Sequence, residues 1–329
     1  MFKQYPKGEG VSKRIVSSVV CAGLDKATQW LCFEKIHGAN GCMIITDNEI
    51  KFARRRAIVD DDDNFYNYKK IVERYKDNLR KFYNNIVNIY QKVTTVRVYG
   101  ELYGGIYPGQ QSVDIPVQQG IYYSPRVEFM AFDVHIEMSN ETCEWLTYTM
   151  YSSELDKVNI PYVTSLFEGS FEDAIMFDNH FETTIPKLHG LPAIEGNICE
   201  GIVIKPSKSI LLGGDKIMIK SKNCKFTEKK PNTSNVFESI TIPEELKDLP
   251  EYVNDNRLDA AISKVGEVIP KNMSKIIKEF TSDILEEYMR DHQLSKETKK
   301  LTGKMLSKLC VPLVKQRIYS QFQADTLEQ

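Results

Sequence analysis

No stretch of this 329-residue chain approaches the run of about 18 apolar residues that a membrane-spanning helix requires. The opening segment, Met1-Phe2-Lys3-Gln4-Tyr5-Pro6, lacks both the apolar core of a secretory signal and an Arg/Ser-rich presequence. Those absences lead us to expect a cytoplasmic protein with no membrane partner. Cysteine pairs are missing too. Seven cysteines stand at 21, 32, 42, 143, 199, 224 and 310 with no Cys-x-x-Cys among them, so reduced, mostly buried thiols are expected rather than a disulfide framework. The five histidines form no His-Glu-x-x-His, which leaves zinc without support. No Gly-x-x-x-x-Gly-Lys-Ser/Thr occurs, so any use of ATP must do without a P-loop. Nor is there a charge excess: 43 basic residues face 45 acidic ones, and the net of −2 gives no sign of a nucleic-acid partner. What is present, 42% hydrophobic and 27% charged residues in a chain long enough for two domains, excludes wholesale disorder.

The first two-thirds alternate short β-like runs with polar loops. Trp30-Leu31-Cys32-Phe33, Val96-Arg97-Val98-Tyr99, residues 128–134, Gly201-Ile202-Val203-Ile204 and Ile217-Met218-Ile219 are rich in β-branched and aromatic residues. One helix interrupts them, because Phe65, Tyr68, Ile71, Tyr75, Leu79, Phe82 and Ile86 recur every three or four positions. Asp60 to Asp63 and Asn64 precede it, offering an N-cap and negative charge to the helix dipole. Four adjacent aspartates do not converge easily on one metal ion, so a solvated helix start is the better reading. Glu228 to Asn235 reads as a polar linker. Beyond it Ile276, Ile277, Phe280, Ile284, Leu285 and Tyr288 form one apolar helical face, and Leu301, Met305 and Leu309 another. The expected class is α+β: a first domain over residues 1–232, a linker over 233–242 and a small all-helical domain over 243–329.

The chemistry starts at Glu34-Lys35-Ile36-His37-Gly38-Ala39-Asn40. A Lys-x-x-Gly tetrapeptide alone says little, since Lys187 and Lys300 begin others. Lys35 differs in its setting. It closes a β-like run, Gly38 permits a tight turn, and Cys42-Met43-Ile44-Ile45 follows as another strand. Further along come Ala53-Arg54-Arg55-Arg56, Tyr99-Gly100-Glu101-Leu102-Tyr103-Gly104-Gly105 and Phe129-Met130-Ala131-Phe132-Asp133-Val134. Glu200-Gly201-Ile202-Val203-Ile204-Lys205-Pro206 and Ile217-Met218-Ile219-Lys220-Ser221-Lys222 complete the series. This ordered set resembles the covalent nucleotidyltransferases, and most closely the RNA ligase 2 family, which includes phage RNA ligases and trypanosome RNA-editing ligases. Glu-Lys-Ile-His-Gly, rather than the Lys-x-Asp-Gly of DNA ligases and capping enzymes, is the main pointer. The stretches 219–230 and 263–271 are similar to the family as well.

The resemblance implies an ATP-grasp-like adenylyltransferase domain with antiparallel sheets, followed by the helical domain, with ATP as substrate and Mg2+ as cofactor. It implies that Lys35 attacks the α-phosphorus of ATP to form lysyl-AMP, and that Lys220 and Lys222 grip the phosphate. Arg55 and Glu101 would hold the ribose, Phe132 would stack on adenine, and Glu34, Ile36 and His37 would line the site. Glu200 would bind the metal, while Asn40, Asp133, Lys205, Arg54 and Arg56 would position RNA ends. The residues carry part of this unaided. A lysine with a reference pKa near 10.4 is neutral in only about one molecule in 2,500 at pH 7, so a nucleophilic lysine needs positive charge or desolvation nearby. Lys220 and Lys222, two apart on a β-like run, leave the same face and can supply that charge. Phe132 read alone could be core, and His37 a structural histidine. Ala53 favours Arg55 as the motif arginine. Gly41 stands where several relatives carry an aromatic, a departure that would loosen the strand.

From Lys205 to Lys230 eight lysines face only Asp215 and Glu228, a local net of +6, and Lys296, Lys300, Lys304 and Lys308 recur at helical spacing. Beside the ligase motifs, both are expected to meet RNA phosphates, in a monomer that seals duplexed or nicked RNA. A DNA ligase or capping enzyme would follow its last lysine motif with an OB-fold of short, evenly spaced strands, which the helical pattern after residue 240 opposes. A non-catalytic RNA-binding scaffold is opposed by the intact Lys35, Glu101, Glu200, Lys220 and Lys222.

Overall fold

The β-branched and aromatic runs of the first two-thirds form the strands of two sheets, joined at the segment that holds Lys35. The computed structural model describes residues 2–226, 240, 242–266, 268–292 and 294–327. The chain divides into two units, Met1–Lys225 and Phe226–Gln329. The polar stretch from 228 to 235 and most of the expected 233–242 linker lie outside the described residues.

In the first unit, β1 (Glu9–Gly10) is followed by α1 (Lys13–Cys21) and α2 (Leu24–Ala27). Strands β2 (Trp30–Glu34), β3 (Ala39–Ile45), β4 (Ile50–Arg54) and β5 (Ala57–Ile58) lead to helix α3 (Tyr68–Ile89). Two long strands, β6 (Val93–Ile106) and β7 (Ser124–Met138), come next, then β8 (Cys143–Trp145), α4 (Tyr148–Lys157) and β9 (Ser165–Gly169). Short helices α5 (Phe171–Met176) and α6 (Ile185–Leu188) precede β10 (Gly201–Pro206), β11 (Leu211–Leu212), β12 (Asp215–Lys216) and β13 (Ile219–Lys222). One sheet has the order β1-β13-β10-β2-β9, antiparallel except for the β1–β13 pair. The other, β5-β4-β3-β6-β7-β8, is antiparallel throughout. Since β2 belongs to the first sheet and β3 to the second, residues 35–38 are the crossover between them.

Alternation along the strands builds the core. Met43, Ile45, Phe52, Val96, Val98, Phe129 and Val134 of the second sheet bury against Leu79, Phe82 and Ile86 of α3. Trp30, Cys32, Ile202, Ile204 and Ile219 of the first sheet bury against Ile15 and Val19 of α1. Each such side chain contributes about 1.5–3 kcal/mol on burial. Two expectations are revised here. Helix α3 is not capped by Asn64: a 3-10 turn over Phe65–Asn67 intervenes, and Asn67 at φ 55° begins the helix without a side-chain cap. Gly41 does not loosen β3, because the Phe52 ring of the adjacent strand lies 2.5 Å from where its Cβ would stand and fills the space.

The second unit is helical among its described residues: α7 (Asp255–Val265), α8 (Met273–Asp291) and α9 (Lys296–Leu327), with short 3-10 turns. Ile276, Phe280, Ile284 and Tyr288 of α8 pack with Met305, Leu306 and Leu309 of α9. Arg257, fully buried on α7, bridges to Asp283 at 3.2 Å and Glu287 at 2.9 Å on α8. Among the described residues no helix is long and apolar enough to cross a membrane.

Candidate active site

Strand register decides which side chains meet. On β10, Val203 faces Phe33 of β2 and Lys220 of β13, and Gly201 faces Lys222. Phe33, Lys35, Lys220 and Lys222 therefore share one face of the first sheet, while Glu34 leaves from the other with Ile202 and Ser221. The Lys35 N–H extends the ladder by donating to the Gly201 carbonyl at 2.9 Å. Its Nζ donates to Glu200 Oε2 at 2.6 Å; Lys222 Nζ lies 3.1 Å from Oε1, and His37 Nδ1 3.3 Å from Oε2. Burial alone would push the Glu200 carboxyl up, but Lys35, Lys222 and His37 together hold it well below the usual carboxylate range. Gly201, at φ 139°, allows this approach, since a Cβ there would run into the Ser221 carbonyl.

The second sheet supplies the facing wall. Asn40 of β3 stands opposite Glu101 of β6. A Cβ on Gly38 would collide with the Leu102 carbonyl and meet Glu101 Cγ at 2.9 Å, so glycine is what lets the crossover lie against Glu101. Burial raises the Glu101 carboxyl to about 7; Lys35, Lys220 and Arg55 oppose the rise and Glu200 reinforces it. Of the three arginines, Arg55 is the one whose charge acts on Glu101. Arg54 bonds Asp63 at 3.1 Å, and Arg56 is exposed in the hairpin turn. Lys187 and Lys300, which also begin Lys-x-x-Gly tetrapeptides, are exposed on α6 and α9.

Other expected residues lie elsewhere. Glu34 is buried with its carboxylate on Thr183 and Thr184, 2.8 Å from the Thr184 N–H, and burial raises its pKa. Asp133 and Lys205, expected at RNA ends, are 2% and 7% exposed and bond each other at 3.0 Å. Lys216 completes this group 2.7 Å from Asp133, and the Tyr5 hydroxyl also donates to it. The +6 stretch is thus not one surface: Lys205 and Lys216 bond Asp133, Lys222 bonds Glu200 beside Lys35, Lys220 shares their sheet face, and Lys229 and Lys230 lie outside the described residues. Phe132 is half-buried beside Tyr5, with ring centroids 4.9 Å apart, and Ile36 is buried. Sequence reasoning passed over Tyr123, whose hydroxyl accepts the His37 N–H at 2.9 Å, and Lys216 and Tyr5 as partners of Asp133. No spacing signal marks these three, for Tyr123 is 86 residues from His37, and Lys216 and Tyr5 are 83 and 128 residues from Asp133.

Among the described residues no three His, Cys, Asp or Glu side chains gather as a metal cage. Glu200, with Glu101 on the facing wall, nevertheless fits a magnesium ion, which is commonly held by one or two carboxylates with substrate phosphates and water.

The RNA ligase family model matches residues 28–222, and the T4 RNA ligase 2 C-terminal model matches residues 241–317. The mitochondrial RNA-editing ligase 1 of Trypanosoma brucei brucei is 26% identical, covering 91% of this chain and 70% of its own. Among solved structures, a mutant of Naegleria gruberi RNA ligase without ligand is 13% identical with a TM-score of 0.45, and another mutant with ATP and Mn is 15% identical with a TM-score of 0.43. These matches cover 67% and 66% of this chain but only 55% of each Naegleria chain.

Proposed function

Because this chain belongs to the RNA ligase family and ends in a region of the T4 RNA ligase 2 C-terminal type, we propose that it is an ATP-dependent ligase. It joins RNA 3′-OH and 5′-phosphate ends, at nicks in duplex RNA, through AMP carried on Lys35. The observation that carries this reading is the convergence of Lys35, His37 and Lys222 on the buried Glu200.

Lys35 Nζ forms its bond to the α-phosphorus of ATP as the bond to pyrophosphate breaks. An amine attacks through its lone pair and an ammonium has none, so Lys35 must leave Glu200 and give up a proton to water before it attacks. Lys222 on the other oxygen and His37 alongside keep Glu200 neutralised when Lys35 leaves. Lys220 and Lys222, on the same sheet face as Lys35, place positive charge where the phosphate's negative charge develops. Mg2+, when bound, supplies charge neutralisation at the phosphates and pyrophosphate, and Glu200 would hold it. Arg55 and Glu101 take the ribose and Phe132 the base, with Ile36 and His37 lining the site and Glu34 bracing the strand from behind.

An RNA 5′-phosphate oxygen then displaces Lys35 from AMP, and a 3′-hydroxyl displaces AMP as the strands join. Asn40, beside Glu101, and Arg54 and Arg56 are the residues set to meet the RNA ends. Lys296, Lys299, Lys300, Lys304, Lys308 and Lys315 are exposed on α9, where Glu297 is the one acid between Lys296 and Ser320. Such a face suits RNA phosphates, with binding that weakens as salt rises.

Incubation with α-labelled ATP and Mg2+, followed by denaturation, is expected to leave label on the wild-type protein and none on Lys35→Ala. Label absent from the wild type, or equal on both, overturns the mechanism. Sealing of nicked RNA in preference to nicked DNA is the expected substrate result, and the reverse preference overturns the RNA assignment.

A further inference from the structure

The Phe132 ring owes its position to a fault in the β6–β7 ladder. Tyr99 pairs with Asp133 and Gly100 with Ala131, so Phe132 is an extra residue with no partner on β6. That is a β-bulge, a device that re-aims a side chain and breaks the local hydrogen bonding. Gly100 makes room for it: a Cβ there would meet the Met130 carbonyl at 2.5 Å. The residue before the bulge is pinned on the outer side, since the Ala131 N–H donates to the Pro161 carbonyl and its carbonyl accepts from Val163, both at 2.8 Å.

The Phe132 carbonyl, facing no strand partner on β6, accepts two side-chain bonds instead. The Tyr151 hydroxyl donates from α4 at 2.8 Å, and Lys205 Nζ donates from β10 at 2.8 Å. Tyr151 is 2% exposed, and its bond to Phe132 is the one its hydroxyl donates. With the Tyr151 bond removed, the carbonyl is held from the Lys205 side alone and the bulge backbone is free to shift toward that donor. Because the bulge backbone sets the direction of the half-buried ring, a donor on that carbonyl controls the ring's orientation.

We infer that Tyr151 is a positioning residue for nucleobase binding: its hydroxyl fixes the Phe132 bulge and so presents the ring as a stacking platform. This rests on the proposed role of Phe132 in holding the adenine of ATP. Tyr151 touches neither base nor phosphate and acts through the backbone of Phe132.

The test is Tyr151→Phe, which keeps the buried ring and removes only the hydroxyl. The expected result is a rise of about three- to tenfold in the KM for ATP in enzyme adenylylation, the range expected for one buried hydrogen bond. The rate at saturating ATP should change less than twofold, and inhibition by pyrophosphate, which has no base, should stay as in the wild type. An unchanged KM for ATP overturns the inference. So does an equal weakening of ATP and pyrophosphate, or a loss confined to the saturated rate, since either would mark a general packing defect. Phe132→Ala separates the inference from the reading beneath it. If Phe132→Ala raises the KM for ATP and Tyr151→Phe does not, the stacking role stands and the positioning role falls; if Phe132→Ala leaves it unchanged, the stacking role itself falls.

Discussion

Glu200 and Asp133 are both buried carboxylates held between two lysines in the same unit, yet their surroundings differ. Around Glu200 the side chains of Lys35 and Lys222 remain 17% and 21% exposed, and His37 stands ready as a third partner. Around Asp133 the side chains of Lys205 and Lys216 are 8% and 10% exposed, and Tyr5 closes the remaining side. Each trio carries one surplus positive charge. At Asp133 that surplus rests against aromatic faces, with Lys205 5.1 Å from the Phe33 centroid and Lys216 4.4 Å from that of Trp145. At Glu200 the charges of Lys220 and Arg55 act as well, both bearing on the nearby Glu101 carboxyl. The same pairing is open to solvent in one place and closed from it in the other.

The largest expected effect that would break this comparison is on stability. Asp133→Ala strands two buried ammonium groups and should cost about 3–5 kcal/mol in denaturant unfolding. Glu200→Ala leaves its lysines able to turn toward water and should cost about 1 kcal/mol, while reducing labelled-AMP uptake by at least about a hundredfold. Equal losses of stability in the two variants would show that the trios are not different in kind. Next in size is Gly201→Ala, which puts a Cβ on the Ser221 carbonyl at φ 139°. It should destabilise by about 1–3 kcal/mol and lower AMP uptake by displacing Glu200, so normal uptake would show that this glycine does not set the site.

The last test is a slope with pH. Glu101 titrates near 7 in the folded chain against an ordinary value of 4.5. The folded state therefore binds more protons than the unfolded state between those values. Its contribution to stability is full below about pH 4.5 and is lost as pH rises through about 7. Glu101→Gln should remove that decline from melting temperatures measured across the interval. A decline of the same size in the variant would place its origin elsewhere.

Much of the candidate site was legible because its residues fall in short runs. Lys35 closes a strand, Glu200 opens one, and Lys220 and Lys222 alternate along a third, so periodicity of two predicts their shared face. The Arg54–Arg56 run left its register open until the hairpin turn sent Arg54 to Asp63 and left Arg55 acting on Glu101. The lysines between 205 and 230 looked like one basic patch because charge is additive along a sequence and not in space. The start of α3 was misread because a left-handed turn at Tyr66 and Asn67 leaves no trace in the apolar period.

The sequence by itself determined the side chains available to this protein: the candidate nucleophile Lys35, the carboxylates and lysines in motif order, and the helical character of the C-terminal region. These depend on residue type and local spacing, which chain order preserves. Only the tertiary structure decided that Glu200 would meet Lys35 across 165 positions, that Asp133 would be sealed by Tyr5 across 128, and that Phe132 would be the unpaired residue of a bulge. Strand register and burial are properties of the partners a strand finds, and no segment carries that information alone.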